Sequence, residues 1–220
     1  MITVSELIEE IVTHSPFLEE GLSKGIINLS SLARIIQPQI QDKLMKDIKT
    51  GAIMMALKRL SKKIKPTNDQ KLISVLKNIS DITVRSNILE FAFDNSSTLL
   101  EKQRKLLNQI SSEKNIFFTT STGVYETSLF VSKNMGQKVK DTFQEEKLRY
   151  EMKDLSAITL ILPKEAVFVP GVYYSVLKAL AREGINFVEV VSSYTELTII
   201  LQNSNVDKAF SSLKKLNNLS

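Results

Sequence analysis

The clearest chemical potential in the first third of this chain belongs to cations: Lys46, Lys49, Lys58, Arg59, Lys62, Lys63 and Lys65, with no acid from Ile48 to Asn68. Ammonium and guanidinium groups gathered without intervening carboxylates are suited to neutralising the phosphates of a polyanion. A solvated lysine-rich surface gives the same arithmetic. At about 100° per residue, Ile53, Leu57, Leu60 and Ile64 fall on one side of a helix, and Lys58, Arg59, Lys62 and Lys63 on the opposite side. Lys46, Lys49 and Lys65 extend that cationic side at both ends. Residues for covalent or metal chemistry are scarce. There is no Cys and one His, which excludes disulfides, thiolate zinc sites, cysteine nucleophiles and multi-histidine clusters. His14, at the end of an expected helix, reads as a surface or capping residue. None of the seven glycines forms a phosphate-cradling loop. The expectation is a binding protein, not an enzyme, with no catalytic residue, no metal site and no cofactor.

A cationic helix needs a scaffold, and 220 residues with 43% hydrophobic content provide apolar mass for two ordinary cores. The net charge of +5 is uneven: Met1 to Ser80 holds 12 basic and 8 acidic residues, the remainder 17 and 16. In the first eighty residues apolar positions recur at three and four, which predicts helices throughout. Val4, Leu7, Ile8 and Ile11 mark one helix, and Pro16 opens a second that stops at Gly25. Asn28 caps Leu29 to Ile36, Pro38 opens Gln39 to Met45, and Thr50 caps Gly51 to Ile64. Those last three form a tri-helical unit of helix-turn-helix type, whose third helix would enter a major groove. Duplex DNA suits it better than single-stranded RNA, because no aromatic residue lies between Phe17 and Phe91 to stack a base. The longest apolar stretch, Gly51 to Leu57, is far short of the ~20 residues of a bilayer span. A cytoplasmic protein without membrane association is expected.

Pro66 to Asp69 mark a turn, one more helix spans Leu72 to Ile79, and near residue 80 the texture changes. Strands are expected at Ile82 to Phe93, Asn115 to Thr120 and Tyr125 to Ser132, with helices at Ser96 to Ile110 and Met135 to Tyr150. The order then recurs. Ala157 to Leu162, Ile185 to Ser192 and Glu196 to Leu201 read as strands, Gly171 to Glu183 and Asn205 to Leu216 as helices. Leu106 and Leu177, Asn115 and Asn186, and Ser121 and Ser192 each lie 71 residues apart. Two β-α-β-β-α units in tandem are therefore expected, each a sheet with helices on one face.

The second unit resembles an ACT domain, most of all those of the aspartate kinase regulatory region. Phe168-Val169-Pro170-Gly171-Val172 opening a helix, Leu177-Lys178-Ala179-Leu180 within it, and Gly184-Ile185-Asn186-Phe187 leading to Ser192-Ser193 carry the resemblance, over about residues 155 to 218. The first unit departs from it, with Asp94-Asn95-Ser96 where Pro-Gly would stand. The resemblance implies an amino-acid ligand between the loop after the first strand and the start of the second strand, at an interface of two modules. Its residues here would be Val169, Pro170, Gly171, Val172, Ile185 and Asn186. Gly171 would let a ligand approach the backbone, helix-start amides would hold a carboxylate, and Asn186 would offer a donor and an acceptor.

The expected fold is α+β: a helix-turn-helix-like domain over residues 1–80, a degenerate ACT-like unit over 81–150 and an ACT-like unit over 151–220. The expected function is an amino-acid-sensing transcriptional regulator that binds duplex DNA through Lys46, Lys49, Lys58, Arg59, Lys62 and Lys63. A homodimer through the ACT-like units is expected, with Glu196 to Leu201 as an exposed sheet edge. The alternative is a regulatory or scaffold protein that docks an enzyme in trans.

Overall fold

The computed structural model describes residues 3–64, 69–111, 113 and 115–218. The chain divides after Asp69 into a helical unit and a sheet unit.

The helical unit holds α1 (Val4–Thr13), α2 (Pro16–Ser23), α3 (Leu29–Leu44) and α4 (Thr50–Lys63). Local chemistry sets their starts. Thr3 and Glu6 form a reciprocal capping box on α1, and Asn28 Oδ1 accepts from the Ser31 amide at 3.0 Å to begin α3. Leu7, Ile8, Val12, Leu32, Ile36, Ile40, Ile53, Leu57 and Leu60 are among the residues of the core. The expected break at Pro38 is absent: α3 runs through it. Pro38 and Arg34 are both exposed, so water can serve the carbonyl that a proline leaves without a partner four residues back. Residues 28–64 thus form two helices, not three. Thr50 does not cap α4 either; its hydroxyl donates to Gln37 Oε1 at 2.9 Å, while Gln37 Nε2 donates to the Ile48 carbonyl at 2.8 Å. Gln37 so clamps the five-residue turn between α3 and α4, which Met45 enters in the left-handed region at φ 52°.

The sheet unit contains α5 (Asp69–Lys77), β1 (Asp81–Asp94), α6 (Leu99–Ile110), β2 (Phe118–Thr122), β3 (Glu126–Ser132), α7 (Gly136–Thr142), β4 (Leu148–Ile161), α8 (Val172–Arg182), β5 (Glu189–Ser192), β6 (Glu196–Gln202) and α9 (Val206–Lys214). The two β-α-β-β-α runs join side by side in one antiparallel sheet, ordered β2-β3-β1-β4-β6-β5. The helix expected over Met135 to Tyr150 stops at Thr142, and Leu148 to Tyr150 already belong to β4. Glu196 to Leu201 is no edge, since β6 pairs with both β4 and β5. One-sided pairing occurs elsewhere: Asp81 to Arg85 of β1 pair with β4 alone, and Leu148 to Met152 of β4 with β1 alone. Asn87 and Asp154, at φ 60° and 56°, sit where each long strand changes neighbours. Asn and Asp are the side chains that tolerate this region best.

Three apolar clusters hold the unit. Leu89, Phe91, Phe93, Leu129 and Val131 pack against Leu106 and Ile110 of α6 and Val139 of α7. Ile158, Leu160, Leu197, Ile199 and Leu201 pack against Val176 and Leu180 of α8 and Leu213 of α9. Val75, Leu76 and Ile79 join that second cluster, so α5 is part of the sheet unit, whereas its sequence pattern places it with the helices of residues 1–80. On the opposite sheet face, Ile88, Phe130, Leu155, Ala157 and Ile200 form a third buried cluster with Phe117, Met152 and Val188 around it. Among the described residues no helix is long and apolar enough to cross a membrane.

Candidate functional site

The loop from Val169 to Val172 lies between β4 and α8. Val169 is extended, and its amide donates to the Ala166 carbonyl at 3.2 Å. Gly171 occupies the N-cap position at φ 92° and ψ −4°, a region where other side chains are strained. Its carbonyl takes both the Ser175 amide and the Ser175 hydroxyl at 2.9 Å. Among the described residues no side-chain hydrogen bond caps α8, so its first-turn amides, at the positive end of the helix dipole, have no side-chain partner. Pro170 is exposed and Val172 buried, and Phe168 stands 79% exposed beside them. Tyr173 and Tyr174 lie on the exposed side of the first turn, with Lys178 Nζ over the Tyr174 ring at 5.0 Å.

The six residues of the expected ligand site are not brought together within one chain. Val169 to Val172 stand at the start of α8 and Ile185 and Asn186 beyond its end, so the length of this 11-residue helix, roughly 16 Å, separates them. Ile185 is buried in the core under α8, whereas Asn186 is exposed. An amino acid at Gly171 could meet an Asn186 only from another copy.

The matching loop of the first unit is satisfied internally. Ser96 Oγ and Thr98 Oγ1 donate to the two carboxylate oxygens of Glu146 at 2.6 and 2.7 Å. Ser96 Oγ in turn accepts the Leu99 amide at 3.1 Å. Asn95 donates to the Gly123 carbonyl at 2.9 Å and accepts from Thr127 at 2.7 Å. Lys147 and Arg149 pair with Asp94 and hold its carboxyl below the usual range. The chain's own groups thus fill the place that α8 leaves open.

The six cations expected to meet nucleic acid are all exposed. Lys46 and Lys49 sit in the turn before α4, and Lys58, Arg59, Lys62 and Lys63 on its outer side, opposite Ile53, Ala56, Leu57 and Leu60. Among the described residues none of the six makes an ion pair, whereas Lys43 of α3 pairs with Glu10 of α1 at 2.9 Å. Lys65, and Pro66 to Asn68 of the expected turn, lie outside the described residues. Met55, 53% exposed, shares the outer face at three, four and seven residues from Lys58, Arg59 and Lys62.

Sequence reasoning missed Glu90. It is 2% exposed, on the sheet face away from the helices. Ser128 Oγ and Tyr150 OH donate to its Oε1 at 3.0 and 3.1 Å, and its Oε2 has no partner. Burial raises its pKa above the ordinary value, and Glu189 and Glu126 add to the shift. Its one sequence signal is a charge inside the apolar run Leu89-Glu90-Phe91. Among the described residues no cluster of His, Asp and Glu could hold a metal ion.

No family model matches the chain. No curated protein matches it either. Solved structures do. The regulatory subunit of aspartate kinase from Thermus thermophilus, in its ligand-free form, superposes with a TM-score of 0.52 at 12% identity, over 63% of this chain and 97% of that one. Aspartate kinase from Clostridium acetobutylicum gives 0.53 at 16% identity, over 64% of this chain and 35% of that one. That from Synechocystis gives 0.53 at 12% identity, over 64% of this chain and 27% of that one. At such identities the likeness concerns the fold, which is the α+β, ACT-like fold of aspartate kinase regulatory domains. The chain spans about a third of the Clostridium kinase and about a quarter of the Synechocystis one.

Proposed function

We propose that this protein is an amino-acid-responsive regulator without catalytic activity of its own. The loop Val169 to Val172, with Gly171 in the left-handed region before an uncapped helix, carries the reading: it presents main-chain amides to a carboxylate. The regulatory-domain fold supports it. In a homodimer, Asn186 of one copy would complete the loop of the other. Calorimetric titration with the standard L-α-amino acids, singly, tests this reading, and absence of heat for all of them refutes it.

The output we propose is duplex DNA binding by a helix-turn-helix-like pair, α3 and α4. The six exposed cations, which make no ion pair among the described residues, support it, because neutralising several phosphates at once releases counterions. Fluorescence anisotropy with labelled duplex at two salt concentrations tests it. Met55, exposed amid the same cations, favours a second reading in which this face docks an acidic protein, since methionine adapts to irregular partner surfaces. Salt-insensitive or absent duplex binding selects that reading.

A further inference from the structure

The candidate loop is not free on every side. Gly171 lacks a Cβ, so one side of its α-carbon is bare backbone, the side from which a ligand would come close to the loop. A β-carbon placed there would lie 3.4 Å from Leu72 Cδ2 and 4.0 Å from Leu72 Cδ1. The methyls of Leu72 occupy that approach. Leu72 stands in the first turn of α5, and the far end of this helix is firmly held. Val75, Leu76 and Ile79 are buried among Leu160, Leu162, Ala166 and Val172. The Asn217 side chain donates to the Ile79 carbonyl at 3.1 Å, and the Ser80 amide to the Ile161 carbonyl at 3.0 Å. The first turn is held less, with Gln70 and Lys71 exposed and Leu72 half-buried at the margin of the same cluster. The loosely held end is therefore the one that touches the loop, and it is the end that follows the helical unit in sequence.

We propose that α5 is a displaceable plug on the amino-acid site: Leu72 covers the side of Gly171 that the ligand needs, so the ligand and the first turn of α5 exclude each other. This inference rests on the reading of Val169 to Val172 as that site. Binding then releases the first turn while Val75, Leu76 and Ile79 keep the rest of α5 on the sheet unit. The segment released adjoins the helical unit in sequence, which gives ligand binding a route to the cationic helix. Linkage is reciprocal, so whatever holds the first turn down weakens the ligand by the same factor by which the ligand weakens that hold. The apparent dissociation constant equals the intrinsic one divided by the unplugged fraction.

The test uses the full chain, the variants Leu72→Ala and Leu72→Met, and the standard L-α-amino acids as probes. Truncating a half-buried leucine removes part of its packing, so the ligand should bind Leu72→Ala about four- to tenfold more tightly than the parent. Leu72→Met, which conserves volume, should stay near the parent. In the parent, the same amino acid should raise deuterium uptake at residues 70–75 and leave residues 76–79 protected, a readout that stands even if Leu72→Ala fails to fold. Equal or weaker binding by folded Leu72→Ala, or increased protection of residues 70–75 on binding, overturns the plug and leaves the site standing. Absence of binding to parent and variants alike overturns the site reading, and the plug with it.

Discussion

Replacing Glu90 by Gln tests whether this carboxyl is a buried acid under strain from its surroundings. Its Oε1 accepts from Ser128 and Tyr150, its buried Oε2 has no hydrogen-bond partner among the described residues, and Glu189 and Glu126 repel an added negative charge. Burial, the larger cause, and these neighbours raise the folded-state pKa above the ordinary 4.5. A raised acid pKa means that the folded state binds more protons than the unfolded one as pH rises past the ordinary value. Its contribution to stability is fully present below about pH 4.5 and is lost as pH climbs through the folded-state value. Glutamine keeps the acceptor for Ser128 and Tyr150 and cannot ionise. At acidic pH, protonated Glu90 and the glutamine in its place each leave one polar atom unpaired, so the variant should melt within a few degrees of the parent. Toward alkaline pH the parent alone must bury a charge. An unsatisfied buried group costs about 1–3 kcal/mol, and more when charged. In a unit of this size 1 kcal/mol is about 2–4 °C in Tm, so the variant should melt roughly 2–12 °C higher there. Thermal melts of both proteins across that range measure it. A parent Tm without such a fall, or an equal fall in Glu90→Gln, refutes the argument.

Three further outcomes are expected. Changing Lys58, Arg59 and Lys62 together to Ala should weaken duplex binding and reduce the slope of log affinity against log salt by about 0.9 for each phosphate no longer neutralised. Circular dichroism should remain that of the parent, because these side chains face away from Ile53, Leu57 and Leu60. Gly171→Ala should destabilise by about 1–2 kcal/mol, the cost of placing an L side chain in the left-handed region, and should abolish amino-acid binding. Thermal melting and titration read the two effects separately. Sedimentation should give a dimer at micromolar concentration, and a monomer with and without amino acids would refute the shared site.

Most of the element order was legible because periodicity and turn chemistry agree in this chain. The β-α-β-β-α repeat was readable from strand-like runs such as Ile82 to Phe93 and from the 71-residue offset of Asn115 and Asn186. Exposure of Lys58, Arg59, Lys62 and Lys63 followed from one angular check. The misses come from burial and from contacts distant in sequence. Pro38 looked like a helix start, but its exposure lets α3 continue. Phe143 looked like part of a long helix, yet it stacks on Phe93 at 4.9 Å and turns the chain toward β4. The site was split because the ligand residues implied by the resemblance sit at both ends of α8, and only tertiary structure shows that one chain cannot join them. Leu72 reads in the sequence only as one apolar position of the helix that Val75, Leu76 and Ile79 continue, and Glu90 only as a charge in an apolar run; the neighbours that matter to each, Gly171 for one and Ser128 and Tyr150 for the other, lie far along the chain.

On the proposed reading, the difference between the two copies of the repeat assigns the ligand to the second of them. In the first, Glu146 is tethered within reach of Ser96 and Thr98, and the 2.6 and 2.7 Å hydrogen bonds pair a full negative charge with two hydroxyls. A free amino acid competing for that loop faces a group held beside it by the chain, at an effective concentration in the millimolar range or above. Among the described residues the second copy shows no carboxylate tethered at its loop. Gly171 replaces hydroxyl side chains with bare backbone, and the covering group is the uncharged side chain of Leu72. A carboxylate from solution that displaces the alkyl group beside Gly171 would gain hydrogen bonds to main-chain amides that the alkyl group never made. Displacing Glu146 would exchange one carboxylate for another with no such gain. On the proposed reading, the asymmetry between a polar latch and an apolar cover would make the second loop responsive and leave the first structural.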